Sequence, residues 1–341
     1  MARAVQLSAL GLGTTSPNPV VGCVVLDAAG AVAGEGWHRR AGGPHAEVEA
    51  LAAAGGRARG GTAVVTLEPC RHTGRTGPCT QALLRAGVAR VVHAVADPDP
   101  VAGGGAAVLA AAGVDVEGGL LAEEAAEVNA AWLHAVRTGR PLVTWKVAAT
   151  LDGRSAAADG TSRWITSQEA RADVHALRSR ADAVVVGVGT VLADDPALTA
   201  RTDPPPARQP LRVVLDARGR TPAGARVRDG AAPTLVLTAA DVGAGPGGRG
   251  VDLAAALGVL HARGVRSVLL EGGPTLAGAF VDADLVDRVV AYLAPALLGQ
   301  GPAALATTAT GSTIAAARRL RVREVVAVGP DVRITAAPLR A

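Results

Sequence analysis

The sequence predicts two consecutive α/β domains in one chain. With 341 residues, the chain exceeds the usual size of a single domain and favours two. Valine-rich runs of strand length alternate with longer runs of helical composition, an alternation typical of α/β proteins. The turn-forming stretch Thr138-Gly139-Arg140-Pro141 separates a predicted helix from a new strand. We therefore expect domains at residues 1–139 and 142–341.

The first half predicts a sheet covered by helices. Ser16-Pro17-Asn18-Pro19 has turn chemistry, and Gly30 marks the turn between the first two strands. The hydrophobic pattern predicts strands at 20–26, up to about 37, and at 62–67, 90–96 and 114–116, with helices at 2–12, 46–54, 78–86, 106–112 and 121–136.

The second half repeats the alternation. It predicts strands at 142–149, 183–188, 211–215, 234–237, 267–271 and 286–293, with helices at 168–179, 252–262 and from 274 onward. Residues 202–210 and 241–250 are rich in proline and glycine and are predicted to be loops.

One histidine and two cysteines carry the clearest chemical signal. Glu47 stands two residues after His45, and Cys70 and Cys79 follow a predicted strand with eight residues between them. One imidazole and two thiolates are the three protein ligands of a catalytic zinc with an open position, whereas a structural zinc takes four. H-x-E followed by a closer cysteine pair is typical of zinc nucleobase deaminases. The pattern predicts a zinc deaminase.

The acid beside the ligand fits this chemistry. Zinc lowers the pKa of a bound water to about 7, and Glu47 is expected to carry a proton from that water to the leaving nitrogen. Pro44 places His45 and Glu47 in the first turn of a helix. Pro78 places Cys79 in the first turn of another helix, where the dipole stabilises a thiolate. Alternatively, each residue belongs to the core, as single cysteines often do.

Composition excludes several other classes. Hydrophobic residues make up 49% of the chain, enough for substantial cores, but aromatic residues only 2%. The pI of about 9.6 corresponds to a net charge of only +4, and the arginine cluster at 318–323 has no interleaved aromatic residue for base stacking. We expect no nucleic-acid partner.

The compartment is predicted from cysteine usage and hydropathy. With Cys70 and Cys79 as ligands, only Cys23 remains, so no disulfide framework is expected. We see neither a signal-peptide pattern nor an apolar run of about eighteen residues. A cytoplasmic protein without a membrane partner is expected.

Two glycine turns in the second half suit a nucleotide. Leu270-Glu271-Gly272-Gly273-Pro274-Thr275-Leu276 leads from a strand into a helix, and Gly187-Val188-Gly189-Thr190 follows another strand. Backbone N–H groups at such turns can receive a pyrophosphate. Glycine turns are also common for steric reasons, so these residues alone leave cofactor binding open.

Together the motifs resemble the bifunctional deaminase-reductase family of riboflavin biosynthesis over nearly the whole chain. In the first half the similar segments are Pro17-Asn18-Pro19 with Val21-Gly22, Pro44-His45-Ala46-Glu47, and the run from Thr66 to Cys79. In the second half they are Lys146, Leu151-Asp152-Gly153-Arg154, Arg163-Trp164-Ile165-Thr166-Ser167, Thr190-Val191-Leu192-Ala193-Asp194-Asp195-Pro196 and Glu271-Gly272-Gly273-Pro274-Thr275-Leu276. Gly77 departs from the family, which usually has proline there, and residues 203–209 and 243–250 match poorly.

The resemblance implies a cytidine-deaminase-like domain followed by a dihydrofolate-reductase-like reductase domain. The first would use zinc to deaminate 2,5-diamino-6-(5-phosphoribosylamino)pyrimidin-4(3H)-one. The second would use NADPH to reduce the ribosyl group to ribityl, giving 5-amino-6-(5-phosphoribitylamino)uracil. The expected partners are this small-molecule substrate and further copies of the chain in a homo-oligomer.

The resemblance also implies roles for individual residues. It assigns zinc to His45, Cys70 and Cys79 and the proton shuttle to Glu47. The pyrimidine pocket of the first domain is assigned to Asn18 and His38. Substrate binding in the second domain is assigned to Ser162, Arg178, Leu198, Arg201 and Glu271. NADPH binding is assigned to Ala148, Trp164, Thr190, Asp194, Gly273, Pro274, Thr275, Leu276, Ala277, Gly278 and Ala279. Phosphate binding gives the arginines a role beyond that of surface charges, and Trp164 could instead be a core residue.

Three alternatives compete with this interpretation. The second half could be a non-catalytic assembly module, although Lys146 and the turn after Glu271 speak against it. A polynucleotide deaminase would need a basic groove studded with aromatic residues. A structural zinc protein would need a fourth ligand.

Overall fold

The chain folds into two compact units, Met1–Gly139 and Arg140–Ala341. The computed structural model describes residues 1–73, 77–307 and 313–339, so residues 74–76 of the predicted cysteine loop lie outside the described part. The boundary falls within the stretch 138–141 that the sequence predicts as a linker. Gly139 there has a φ of 71°, which ends the preceding helix.

The first unit is built on a five-stranded sheet. Its order is β2-β1-β3-β4-β5. β1 pairs antiparallel with β2 and β3, whereas β3, β4 and β5 run parallel. The strands are β1 (Gly22–Leu26), β2 (Val32–Trp37), β3 (Thr62–Leu67), β4 (Arg90–Val95) and β5 (Asp115–Gly118). β1, β3 and β4 are buried on both faces, which explains their valine-rich sequences.

Helices cover this sheet. They are α1 (Ala2–Ala9), α2 (Ala46–Ala54), α3 (Cys79–Ala86), α4 (Gly105–Ala111), α5 (Ala122–Val128) and α6 (Ala130–Thr138). The single helix predicted over 121–136 is wrong, because the chain leaves helical geometry at Asn129, with φ −95° and ψ 13°. The Asn129 side chain accepts a hydrogen bond from the backbone N–H of Val20 at 3.2 Å, which satisfies two buried polar groups and links the break to β1.

The second unit is built on an eight-stranded sheet. Its order is β12-β13-β11-β6-β10-β7-β8-β9. Strands β6 to β11 pair parallel with one another, and the last two form an antiparallel hairpin at the edge. The strands are β6 (Leu142–Thr150), β7 (Ala183–Gly187), β8 (Leu211–Leu215), β9 (Thr234–Leu237), β10 (Ser267–Leu270), β11 (Arg288–Ala294), β12 (Leu320–Val328) and β13 (Asp331–Pro338). Because β6, β7 and β10 are parallel, their carboxyl ends meet at one edge, where α/β sheets bind ligands.

The helices of the second unit include two that the sequence did not predict. They are α7 (Gln168–Arg180), α8 (Val188–Asp194), α9 (Ala239–Val242), α10 (Leu253–Ala262) and α11 (Pro274–Asp282). α8 occupies the stretch interpreted only as a glycine turn. The prediction of a loop at 241–250 is wrong for residues 241 and 242, because they form the end of α9. That short helix is stabilised by a capping box between Thr238 and Asp241.

Other differences lie at the ends of elements. Predicted boundaries coincide with the observed ones for α2, β3, β8 and β9. α1 ends at Ala9 rather than at residue 12, because Leu10 and Gly11 donate to carbonyls three residues back and tighten the last turn. The hairpin of β12 and β13 was not predicted, since β12 is a largely exposed edge strand without a continuous apolar run.

Among the described residues, none of the helices combines the length and the apolarity that crossing a bilayer requires.

Candidate active sites

The predicted metal ligands converge at the starts of two helices. His45 is the N-cap of α2 with extended backbone, φ −75° and ψ 160°, so the prediction that it lies in the first turn is wrong by one residue. Pro78 is likewise the N-cap of α3, which leaves Cys79 as the first helical residue. Cys70 follows β3 by three residues. Both helix ends direct positive dipoles toward the cluster, which favours thiolates there.

The distances within the cluster suit one metal ion. His45 Nδ1 lies 3.2 Å from Cys79 Sγ and 3.6 Å from Cys70 Sγ. The three donor atoms lie within 4.8 Å of one another, and both cysteines are buried. Hydrogen bonds from Cys79 and from His45 lower the pKa of Cys70, so a thiolate forms readily. One nitrogen and two sulfurs in this arrangement fit tetrahedral zinc with one open position.

Glu47 lies in the first turn of α2, beside the cluster. Its side chain is buried, and only 3% of the residue is exposed. This burial raises the pKa of Glu47, and the neighbouring positive charge of His45 partly opposes the shift. A carboxyl group whose protonated form is stabilised in this way takes up a proton more readily than an exposed carboxyl group does.

Asn18 and His38 form one polar pair next to the ligands. The His38 ring lies edge-on to His45, with 5.5 Å between the ring centroids. His38 Nδ1 lies 2.8 Å from the carbonyl oxygen of Pro44, and Nε2 lies 3.1 Å from Asn18 Nδ2. Because a carbonyl only accepts, Nδ1 donates and Nε2 accepts from the Asn18 amide. Burial lowers the pKa of His38, which keeps the ring neutral.

The second unit carries a charged cluster at the carboxyl end of β10. Arg178 of α7 donates from Nε and Nη2 to the two oxygens of Glu271, at 2.6 Å and 2.8 Å. Both side chains are largely buried, at 13% and 9% exposed. Burial alone would raise the pKa of Glu271, but Arg178 holds it below its ordinary value. Burial lowers the pKa of Lys146, which interacts electrostatically with Glu271.

Arg178 is therefore not a solvated surface charge, which the sequence had left open. Its remaining nitrogen, Nη1, donates to the carbonyl of Thr199 at 3.1 Å. The other predicted substrate arginine, Arg201, lies two residues after Thr199 and is exposed. Its Nη1 donates to Thr199 Oγ1 at 3.1 Å. Leu198 is buried with a φ of 52°. Arg201 is thus the more accessible of the two cations.

The glycine turn after Glu271 separates into open and packed positions. A Cβ on Gly273 would meet only Thr190 Oγ1, at 4.0 Å, whereas a Cβ on Gly272 would meet the Leu276 side chain at 2.7 Å. Gly272 is therefore required for packing, and Gly273 borders open space. Pro274 begins α11 in the position where proline suits a helix start.

The predicted cofactor residues of α11 divide by helix face. Thr275 and Ala279 are exposed, and Leu276 is partly buried. Ala277 lies in the hydrophobic core. Gly278 is buried where a Cβ would lie 1.7 Å from the carbonyl oxygen of Ala306. The last two therefore face the protein, and any role of theirs in cofactor binding is indirect.

The remaining predicted positions lie on neighbouring elements. Trp164 is 69% exposed, so it is not a core residue, and the Arg171 guanidinium lies 4.4 Å from its ring centroid. Arg163 donates to the backbone carbonyl of Asp194 at 2.6 Å, which joins the Trp164 segment to the end of α8. Ser162 lies on that segment, and Ala148 lies on β6 opposite Tyr292.

Sequence reasoning did not identify His175 and Gln209. His175 lies one helical turn before Arg178 on α7, and its Nδ1 accepts a hydrogen bond from the backbone N–H of Arg201 at 3.3 Å. Gln209 lies in the stretch without recognisable similarity to the family. Neither residue belongs to a local motif, and only the i, i+3 spacing of His175 and Arg178 could have indicated a shared face.

Two family models match the chain. The cytidine and deoxycytidylate deaminase zinc-binding region matches residues 1–95, and the RibD C-terminal domain matches residues 141–334. With the metal cluster of the first unit, these matches define a zinc-dependent deaminase joined to a reductase.

Named relatives are similar over nearly the whole chain. Riboflavin biosynthesis protein RibD of Mycobacterium tuberculosis is 49% identical and covers 98% of this chain and 95% of the relative. RibD of Escherichia coli is 44% identical, with 97% and 96% covered. The solved Acinetobacter baumannii RibD has a TM-score of 0.90 at 40% identity, with 99% and 98% covered. The chain belongs to the RibD family.

A further solved structure is that of a relative named for both activities. The diaminohydroxyphosphoribosylaminopyrimidine deaminase/5-amino-6-(5-phosphoribosylamino)uracil reductase of Thermotoga maritima has a TM-score of 0.90 at 35% identity, with 99% and 97% covered. The chain is thus a bifunctional deaminase and reductase of riboflavin biosynthesis that uses zinc and NADPH. The predicted fold class, a cytidine-deaminase-like domain followed by a dihydrofolate-reductase-like domain, is confirmed.

Proposed function

We propose that residues 1–139 deaminate 2,5-diamino-6-(5-phosphoribosylamino)pyrimidin-4(3H)-one and that residues 142–341 reduce the ribosyl group of the product to ribityl. The observation that carries the first assignment is the convergence of His45, Cys70 and Cys79 beside the buried Glu47. The second assignment is supported by the ion pair of Arg178 and Glu271 at the sheet edge where α/β proteins bind ligands. The Thermotoga maritima relative, which is named for both activities, supports this order of reactions.

In the deaminase, His45, Cys70 and Cys79 would hold zinc, which when bound supplies Lewis acidity. Glu47 would hold the proton taken from the attacking water and release it to the departing amino nitrogen. Burial supports this role, because it raises the pKa of the Glu47 carboxyl. Asn18 and His38 would hold the pyrimidine ring. The neutral His38 fixes the direction of the Asn18 amide, which donates to it.

In the reductase, NADPH supplies the hydride when bound. The cofactor would be positioned by Thr190, Asp194, Trp164, Ala148, the open turn at 273–276 and Ala279. Ala277 and Gly278 face the protein and would support that turn from behind. Glu271, kept ionised by Arg178, would accept hydrogen bonds from sugar hydroxyls. The exposed Arg201, with Ser162 and the Leu198 backbone, would bind the phosphoribosyl end, where a guanidinium suits a phosphate.

We also propose that the protein acts in the cytoplasm as a homo-oligomer. The outer strand β12 leaves Val322 and Val325 exposed, at 56% and 61%, and edge strands with apolar side chains tend to find a partner. Sedimentation velocity tests assembly, and Val325→Lys should weaken it. Cell fractionation tests the compartment.

Mass analysis of products tests the two reactions together. The zinc-loaded protein is incubated with the diaminopyrimidine substrate. Without NADPH, we expect replacement of one amino group by oxygen. With NADPH, we expect the further gain of two hydrogens. Deamination without that gain, in a protein whose second unit melts cooperatively, would favour a non-catalytic assembly domain instead.

A further inference from the structure

One face of α7 holds the segment that carries Arg201. His175 and Arg178 are three residues apart, so their side chains leave the same face of the helix. Arg178 Nη1 donates to the carbonyl of Thr199 at 3.1 Å, and the backbone N–H of Arg201 donates to His175 Nδ1 at 3.3 Å. These two hydrogen bonds attach the segment at residues 199–201 to α7.

Gln209 also holds this segment. Its side-chain amide forms both hydrogen bonds of a pair with the backbone of Ala200, accepting from N–H at 2.8 Å and donating to the carbonyl at 2.9 Å. Leu198, buried with a φ of 52°, turns the chain into this stretch. The backbone at residues 199–201 is therefore held by hydrogen bonds from α7 and from Gln209, and the exposed guanidinium extends from this anchored stretch.

His175 must be a neutral ring to accept the hydrogen bond from Arg201. Nδ1 must carry a lone pair to accept from Arg201. Burial and the nearby charges of Arg178 and Arg201 lower the pKa of His175 to about 4, against an opposing contribution from Glu271. The ring stays an acceptor at neutral pH and adds no charge of its own.

We propose that His175 is a positioning residue that orients Arg201 toward the substrate phosphate and so sets the preference for phosphorylated over unphosphorylated substrates. The inference rests on the proposed function, in which Arg201 binds the phosphoribosyl end. His175 acts through Arg201 and needs no contact with the reacting atoms.

The test compares reduction of 5-amino-6-(5-phosphoribosylamino)uracil with reduction of its unphosphorylated riboside, in the full-length protein with NADPH. His175→Leu should lower the ratio of the two kcat/KM values about tenfold, mainly through the KM of the phosphorylated substrate. His175→Asn should restore much of the ratio, because its Oδ1 can accept where Nδ1 did. His261→Leu, on a different helix, is the matched control.

Arg201→Met separates the possible failures. If it leaves the ratio unchanged, the assignment of Arg201 in the proposed function is wrong. If it lowers the ratio but His175→Leu does not, the inference about His175 is wrong. His175 would have only a structural role if His175→Leu lowered kcat/KM equally for both substrates. The same conclusion would follow if a His175→Asn variant that melts like the wild type did not recover the ratio.

Discussion

The two proposed sites differ in how far apart their parts lie in the sequence and in what holds them together. In the first unit, the predicted metal ligands all fall between residues 45 and 79, and the two cysteines share a buried cluster with Ala102. In the second unit, Arg178 and Glu271 are 93 residues apart, and charged groups from separate elements balance one another.

This difference predicts opposite vulnerabilities. The proposed deaminase site would take its reactivity from a metal and one buried acid, so its activity should depend on single side chains while the fold tolerates their loss. The proposed reductase site includes a buried ion pair that joins two elements of the fold, so breaking that pair should affect stability together with activity. Variants of each unit can test this contrast directly.

The largest expected effect comes from Glu47→Gln. The amide keeps the size of the side chain but cannot move a proton, so deamination should fall roughly 100- to 10,000-fold. Zinc content, measured by metal analysis, should stay at the wild-type level, and reduction of the deaminated substrate should be unaffected. Loss of zinc from the folded variant would mean that Glu47 is a ligand, and a loss of reduction would mean that the sites are not independent.

Breaking the ion pair should show the opposite behaviour. Arg178→Met leaves the Glu271 carboxylate buried without its partner, which should cost about 3–5 kcal/mol in unfolding free energy. Arg180→Met, at the exposed end of the same helix, is the control. Denaturant melts of the isolated second unit, from about Arg140 onward, measure both variants. A cost within about 0.5 kcal/mol would show that the pair is not a buried structural element.

The pH dependence of that cost has a definite sign. Arg178 depresses the pKa of Glu271, so the pair stabilises the fold above the unfolded value of about 4.3 and loses its contribution as the pH falls through the lower folded pKa. Without Arg178, burial would raise the pKa of Glu271 instead. The stability difference between wild type and Arg178→Met should therefore be largest near neutral pH and shrink as the pH falls to about 4.

The same contrast decides what the sequence could predict. The metal cluster was predicted as a set, because its residue types and spacing are a local pattern with one chemical interpretation. The core strands were also predicted, because a strand buried on both faces, such as residues 62–67, has a nearly continuous apolar sequence. The break at Asn129 was not, because its cause is a hydrogen bond to Val20, far away in the sequence.

Apart from its glycine turns, the reductase site was predicted only through resemblance. That route named Arg178 and Glu271 separately but did not show that they pair with each other. It also gave no indication of His175 or Gln209, which act on the backbone before Arg201. Contacts between side chain and backbone across elements depend on the folded register, which no local spacing encodes.

Within the second unit, two glycines of the turn after Glu271 should differ in the effect of substitution, one on cofactor binding and the other on stability. Gly273→Val should raise the KM for NADPH at least about tenfold, or about 1.4 kcal/mol, because the new side chain enters open space that the cofactor is proposed to fill. Gly258→Val, at an equally open glycine of α10, is the control for folding. Gly272→Val should destabilise the unit instead, because it meets Leu276. Normal NADPH affinity in a folded Gly273→Val variant would exclude this turn from the cofactor site.

The smallest effect is expected at Trp164. Its ring is 69% exposed, and the Arg171 guanidinium lies on it, so stacking against a cofactor ring is worth about 1 kcal/mol, or roughly fivefold in the KM for NADPH. Trp164→Ala should show that increase with an unfolding free energy within about 0.5 kcal/mol of wild type, since an exposed side chain contributes little to folding. Trp164→Phe should retain most of the affinity. The same KM in all three proteins would place Trp164 outside the cofactor site, and the reductase would then hold NADPH through Ala148 and the residues of α8 and α11.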